Sequence, residues 1–154
     1  MLAGLGISAL CAIGALIALV GVIAMALPGR PQPWPEHLMQ RAAWLTGAAA
    51  ASVYSLGFFL VLASEQEFNN GADSVPAPAC RDGFDAETVR HLVHHRSSYL
   101  PLRFDCVRDD GTTYSSDPSY VWMNWTSASL ALSAALLIIG SGYATELRAR
   151  KDRR

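Results

Sequence analysis

Long uncharged stretches alternate with charged segments along this chain. No Asp, Glu, Lys or Arg occurs in residues 1–29, 42–64 or 118–145. Apolar side chains fill these stretches without the polar stripe that a helix of a soluble fold normally shows. A bilayer core of roughly 30 Å needs about 20 helical residues to cross it. The pattern therefore predicts an all-α membrane protein with three transmembrane helices, at 1–28, 42–64 and 119–144.

The basic residues predict the orientation, because cytoplasmic flanks keep an excess of Lys and Arg. The first connection, 29–41, contains Arg30 and Arg41, and the tail, 145–154, contains five basic residues. Residues 65–118 contain ten acidic residues and five Arg. We expect the N-terminus and the 65–118 loop outside the membrane, and the 29–41 loop and the tail in the cytoplasm. Four prolines should keep the first connection from forming a helix: Pro28, Pro31, Pro33 and Pro35.

The first uncharged stretch also allows a second interpretation, a cleaved signal peptide. Ala24-Met25-Ala26 resembles a small-x-small cleavage site after an apolar run. However, no Lys or Arg precedes the run, which is longer than the apolar core of about 7–15 residues in a signal peptide. The prediction is a retained membrane helix, and cleavage is the alternative.

The sequence of the loop at 65–118 predicts a small α+β segment. Asp85 is expected to cap a short helix that runs to about Arg96, with Glu87 in its first turn. Residues 102–107 alternate apolar and polar side chains, Asp109-Asp110-Gly111 signals a turn, and residues 112–114 could return as a second strand. The predicted subdomain is a short helix followed by a β-hairpin.

Two of the three cysteines, Cys80 and Cys106, lie in this loop, whereas Cys11 lies in the first uncharged stretch. An oxidising compartment would join the loop pair. Closing a loop of this size contributes about 3 kcal/mol in the chain-entropy model. A metal or redox pair would more often show a C-x-x-C spacing, which is absent here. We predict a structural disulfide between Cys80 and Cys106.

Three histidines form the one candidate metal site in the sequence. If the predicted helix extends to Arg96, His91 and His95 lie one turn apart on it with His94 adjacent and Glu87 one turn earlier. Such a cluster could bind Zn²⁺ or Cu²⁺, or could sense pH near neutrality. The spacing is not that of an H-E-x-x-H enzyme. An ordinary solvated helix face explains the same residues.

Composition narrows the function classes. A net charge of −1 gives no basic surface for nucleic acid, and no phosphate-binding loop, nucleophile elbow or dinucleotide motif occurs. Eleven of the twelve basic residues are Arg, which is typical of a GC-rich bacterial genome. The layout is similar to that of small bacterial membrane proteins that present a short two-cysteine loop outside the membrane.

These features predict a multi-pass protein of the bacterial cytoplasmic membrane. We expect a non-enzymatic accessory or interaction subunit, without a required cofactor, that contacts the lipid bilayer and a membrane-protein partner or a second copy of itself. The alternative is an extracytoplasmic metal-binding or sensing module that uses the histidine cluster.

Overall fold

The structure is a computed structural model that describes residues 2–24, 34–70 and 77–153. The described chain is mainly helical. A small antiparallel sheet forms in the segment that connects its last two long helices along the sequence. The elements are helices α1 (Leu2–Ala24), α2 (Trp34–Asn70), α3 (Ala86–Val89) and α4 (Ser119–Asp152), and strands β1 (Leu92–Tyr99), β2 (Leu102–Arg108) and β3 (Thr113–Ser115). A 3₁₀ turn at Pro78–Cys80 precedes α3.

Two helices in the described part of the chain are long and apolar enough to cross a membrane. They are α2, over Trp34–Glu67, and α4, over Ser119–Asp152. The first predicted span forms α1, Leu2–Ala24, but a third membrane-spanning helix is not confirmed. At 1.5 Å per residue, α2 is about 55 Å long and α4 about 51 Å, so each exceeds the thickness of a hydrocarbon core.

Helix α2 differs from the predicted span at both ends. It begins at Trp34 and continues to Asn70, whereas the pattern predicted 42–64. The prediction that proline keeps the connection non-helical is wrong from Trp34 onward, because Pro35 lies in the first helical turn. There proline removes no hydrogen bond, since the first amides of a helix have no intrahelical partner.

The sheet replaces the second half of the helix that was predicted between Asp85 and Arg96. Asp85 does cap α3, and its Oδ2 accepts a hydrogen bond from the Thr88 amide at 3.1 Å. However, α3 ends at Val89, and Leu92–Tyr99 pairs antiparallel with Leu102–Arg108. Strand β3 pairs with the other edge of β2, which gives the order β1-β2-β3. The loop therefore contains a three-stranded sheet instead of a single hairpin.

The chain forms two compact units. The first consists mainly of the residues between Tyr54 and Trp125 and contains the sheet; the second consists mainly of Leu5–Val53 together with Thr126–Arg154. In the second unit, Arg148 Nη1 lies 3.1 Å from Glu36 Oε1, which joins the start of α2 to the end of α4. Gly47 faces the Ala134 methyl group closely enough that an added Cβ would lie 3.8 Å from it. The Arg41 guanidinium donates a hydrogen bond to the Gly21 carbonyl of α1 at 2.9 Å.

Candidate functional site

The predicted disulfide is confirmed and lies in the core of the first unit. Cys80 and Cys106 are bonded across 26 residues, and neither is exposed to solvent. The bridge ties the 3₁₀ turn before α3 to the central strand β2. Tyr114 of β3 supports it, because the Tyr114 hydroxyl donates to the Cys80 carbonyl at 2.7 Å. Burial of this ring raises the pKa of the Tyr114 hydroxyl.

One face of the sheet packs against the two long helices within the first unit. Leu102, Phe104 and Cys106 alternate along β2 and are fully buried, while Arg103 between them is exposed. Gly57 of α2 allows Leu102 to approach closely, since an added Cβ there would lie 2.5 Å from Leu102 Cδ1 and 3.0 Å from the Met123 sulfur of α4. The sheet is therefore fixed to the helices by close packing.

Asn124 of α4 anchors the start of β2 through hydrogen bonds. Its Oδ1 accepts from the Leu102 amide at 3.0 Å, and its Nδ2 donates to the Leu102 carbonyl at 2.9 Å. The side-chain amide of Asn124 thus bonds the Leu102 amide and carbonyl in the way that the backbone of a neighbouring strand would. Because Leu102 is fully buried, these two backbone groups would otherwise lack partners, which is costly in a low-dielectric interior.

His95 contacts both the sheet and α2. Its ring stacks on Phe104 with centroids 4.9 Å apart and planes 6° from parallel. Its Nε2 lies 3.6 Å from Glu65 Oε1, and the two side chains are 13% and 22% exposed. His95 therefore lies on the packed face of β1, next to the C-terminal part of α2.

The other members of the predicted metal cluster point elsewhere. His91 adopts a left-handed backbone conformation (φ 68°) in the turn before β1, and its Nδ1 lies 2.9 Å from Asp109 Oδ2 in an exposed pair. His94 precedes His95 on the strand and is exposed, and Glu87 is exposed on α3. Neighbouring residues of a strand alternate between faces, so the one-face arrangement that the helix prediction required does not form.

No group of three or more His, Cys, Asp or Glu side chains among the described residues is arranged to hold a metal ion. The candidate set of His91, His94, His95 and Glu87 depended on a helix through Arg96, and the structure has a strand there. Pairing with β2 decides this, because the strand gains backbone hydrogen bonds along its paired residues.

The turn between β1 and β2 forms an apolar tip, which we call the hairpin tip and define as Tyr99–Leu102. Leu100 is 84% exposed and Pro101 is also exposed. The Tyr54 hydroxyl of α2 donates to the Tyr99 carbonyl, and the Phe58 ring lies 5.0 Å from the Tyr99 ring. Tyr99 and Leu102 are therefore held against the helices while the two central residues project outward.

Two exposed aspartates stabilise the start of α3 and the turn between β2 and β3. The Asp85 and Asp110 carboxylates accept hydrogen bonds from the hydroxyl and amide groups of Thr88 and Thr112, respectively, and these bonds lower the pKa of each carboxyl group. A folded-state pKa below the unfolded value adds stability above the unfolded pKa and loses it as the pH falls toward the folded pKa. Lowering the pH therefore weakens the hydrogen bonds that these two carboxylates accept.

The sequence analysis missed Asn124, Tyr54 and Gly57 as positioning residues. Asn124 carries the single side-chain amide in the uncharged stretch 118–145, and a lone polar group among apolar residues signals a buried hydrogen bond. Tyr54 and Gly57 give no such signal, because aromatic and small residues are common in membrane helices.

Comparisons with protein-family models, with curated proteins and with solved structures found no match to this chain.

Proposed function

We propose that this chain is an integral protein of the bacterial cytoplasmic membrane and acts as a non-enzymatic accessory or interaction subunit of a larger membrane or envelope complex. In this proposal, the disulfide-linked subdomain lies outside the membrane, and the basic tail lies in the cytoplasm. The partner is a membrane protein or a second copy of this chain.

The observation that carries the proposal is the exposed apolar surface of α4. Five large side chains between residues 132 and 143 are between 61% and 67% exposed: Leu132, Leu136, Ile138, Ile139 and Tyr143. Soluble monomers rarely expose a continuous apolar patch of more than a few hundred Å². Lipid and neighbouring helices would cover such a surface.

The charge distribution supports the orientation. The ion pair between Glu36 and Arg148 brings together the start of α2 and the end of α4, which are the two basic flanks that the positive-inside rule assigns to the cytoplasm. At the other ends of these helices, the loop has an excess of acidic residues. The two flanks are therefore consistent with one cytoplasmic side.

Small residues support helix association as the mode of interaction. Helices in lipid associate through close van der Waals contact, which small side chains allow. Gly47 already faces Ala134 in this way. Other small residues of α4, among them Ser129, Ser133 and Gly142, are exposed.

The proposal is tested by purifying the tagged full-length chain from native membranes in a mild detergent. Mass spectrometry would quantify bound proteins and metals for the wild type, for a variant with residues 80–106 removed, and for Leu136→Ala in α4. We expect a partner at a fixed ratio to the wild type. The deletion should lower this ratio if the loop is the contact surface, and Leu136→Ala should lower it if the α4 surface is. A Cys11→Ser variant, which leaves the disulfide intact, serves as the matched control.

Two results would contradict parts of the proposal. A preparation without any protein at a fixed ratio, and without self-association, would exclude an accessory subunit. A partner that remains bound without residues 80–106 would exclude the loop as the contact surface, and a loss with Leu136→Ala would then assign the contact to α4. Bound zinc or copper without a protein partner would instead support metal binding.

A further inference from the structure

We infer that the hairpin tip is immersed in the outer leaflet of the bilayer, where Leu100 and Pro101 contact lipid acyl chains. This inference rests on the proposed membrane location of the chain. It assigns a lipid-contacting role to a part of the loop that the sequence pattern places wholly in water. Three observations carry it: the helix residues that the tip contacts, the hydrogen bonds of the tip backbone, and the side chains around it.

The charge pattern of α2 fixes the depth of the tip. A membrane span of about 20 residues that avoids every charged side chain must lie within 42–64. Every such placement includes Tyr54, Gly57 and Phe58, the residues that contact Tyr99 and Leu102. The span that brings Gly57 nearest to the outer boundary is 42–61. In that span Gly57 still lies about 6 Å below the boundary, because four residues of about 1.5 Å each separate it from residue 61. A shift of the span toward Trp34 would bury Glu36 and Arg41, which is costly in lipid.

Three backbone groups at the base of the tip are bonded to side chains of the two long helices. An unsatisfied backbone group is costly at membrane depth, so protein partners favour a position near the bilayer. Both backbone groups of Leu102 are bonded to the Asn124 amide, and the Tyr99 carbonyl is bonded to the Tyr54 hydroxyl. Pro101 has no amide hydrogen to satisfy. An ordinary hairpin turn in water needs no such side-chain partners, since water supplies the hydrogen bonds.

The side chains around the tip match the outer interface of a membrane. Trp122 and Trp125 flank Asn124 on α4 and are 51% and 73% exposed, and Trp is enriched at the headgroup level. Arg103 follows the tip directly, and Arg96 precedes it on β1; both are exposed. Long basic side chains at this position can extend to lipid phosphates while their stems remain in apolar surroundings.

Other exposed apolar side chains belong to the same unit as the tip. Leu100 and Val121 are exposed large hydrophobic residues of the same unit, as are the two tryptophans. Asp109 and Asp110 lie beyond the end of β2 that is farther from the tip, and Asp105 lies opposite Arg96 on the sheet. Charge and hydrophobicity therefore both favour lipid as the occupant.

Fluorescence quenching in reconstituted vesicles tests this inference. Single cysteines are introduced in a Cys11→Ser background as Leu100→Cys, Pro101→Cys, Glu87→Cys and Leu136→Cys, with the native disulfide kept oxidised. Each variant is labelled with an environment-sensitive fluorophore and reconstituted into equal parts of phosphatidylcholine and phosphatidylglycerol. Quenchers are nitroxide-labelled lipids in the bilayer and iodide in the water. Two tip variants are used so that one remains informative if the other does not fold.

We expect the probes at positions 100 and 101 to lose most of their emission to the nitroxide lipids and to resist iodide. The probe at position 87 should show the opposite behaviour, and the probe at position 136 should be quenched by the lipids as a marker of the span. Tip probes that iodide quenches as strongly as position 87 would overturn the inference, and tip probes protected from both quenchers would instead place a second copy of the chain over the tip. If position 136 itself escapes the nitroxide lipids, the proposed membrane location fails, and the inference fails with it.

Discussion

At the scale of single residues, hydrogen bonds from two helix side chains determine where the sheet attaches. Asn124 binds both backbone groups of Leu102, and Tyr54 binds the Tyr99 carbonyl. Gly57 makes room for Leu102. These residues act on adjacent positions of one hairpin, so a change in any of them should loosen the same contact.

Replacement of Asn124 by Ala should destabilise the sheet by about 2 kcal/mol, because it leaves a buried amide and carbonyl of Leu102 unpaired. Asn124→Asp should also be destabilising, since a carboxylate oxygen would then face the Leu102 carbonyl. The midpoint of thermal unfolding, followed by near-ultraviolet circular dichroism in detergent, measures the effect. Ser129→Ala, an exposed polar residue of the same helix, is the control. An Asn124→Ala midpoint equal to that of the control would show that the two hydrogen bonds do not stabilise the fold.

At the scale of elements, the sheet depends on a covalent bridge as well as on packing. Among the described residues of the first unit, the fully buried large side chains are Phe104, Leu102 and Val61 together with the two bonded cysteines. A core of this size contributes little by itself. The disulfide restricts the unfolded chain across 26 residues, so the loop can fold with a small apolar core.

Conversion of both Cys80 and Cys106 to Ser should lower the stability of the subdomain by about 3 kcal/mol, the chain-entropy value for a loop of this length. Thermal unfolding of the wild type, the double variant and Cys11→Ser, each with and without a thiol reductant, measures this. Because the bridge is fully buried, the reductant should act only as the chain unfolds. The reductant should lower the midpoint of the wild type and of Cys11→Ser but leave the double variant unchanged. Equal midpoints for all three proteins without reductant would contradict a stabilising bridge.

At the scale of the whole molecule, the two long helices and their charged flanks define the expected topology. Both α2 and α4 are long and apolar enough to cross a membrane. The ion pair of Glu36 with Arg148 places their basic flanks together. The loop that joins α2 to α4 in the sequence has an excess of acidic residues, so the proposed topology puts this loop outside the membrane and the basic flanks in the cytoplasm.

This topology predicts the labelling of single cysteines in intact cells. In a Cys11→Ser background, Glu87→Cys should react with a membrane-impermeant thiol reagent, whereas Arg153→Cys should react only after the membrane is permeabilised. Both positions are exposed, so access across the membrane, and not burial, sets the difference. The reverse pattern would invert the orientation, and labelling of both sites in intact cells would exclude a span between them.

The sequence by itself determined those features that depend on residues close together in the chain. The uncharged stretches identified the two apolar helices, because length and hydropathy along the chain suffice for that inference. Asp85 as a helix cap, the turn at Asp109-Asp110-Gly111, the strand that follows residue 102 and the pairing of the two loop cysteines could also be predicted. Each rests on a short-range preference or on having only one pair of cysteines in the loop.

Only the tertiary structure decided the conformation of Leu92–Tyr99 and the position of the hairpin. His91, His94 and His95 fit a helix as well as a strand by local spacing, and pairing with β2 selects the strand, which separates the histidines. The contact of Leu102 with Gly57 and Asn124 joins positions far apart in the chain, and no local pattern contains such a contact. The physical reason is that backbone hydrogen bonds and close packing between distant segments outweigh the weak local preference of a short helix.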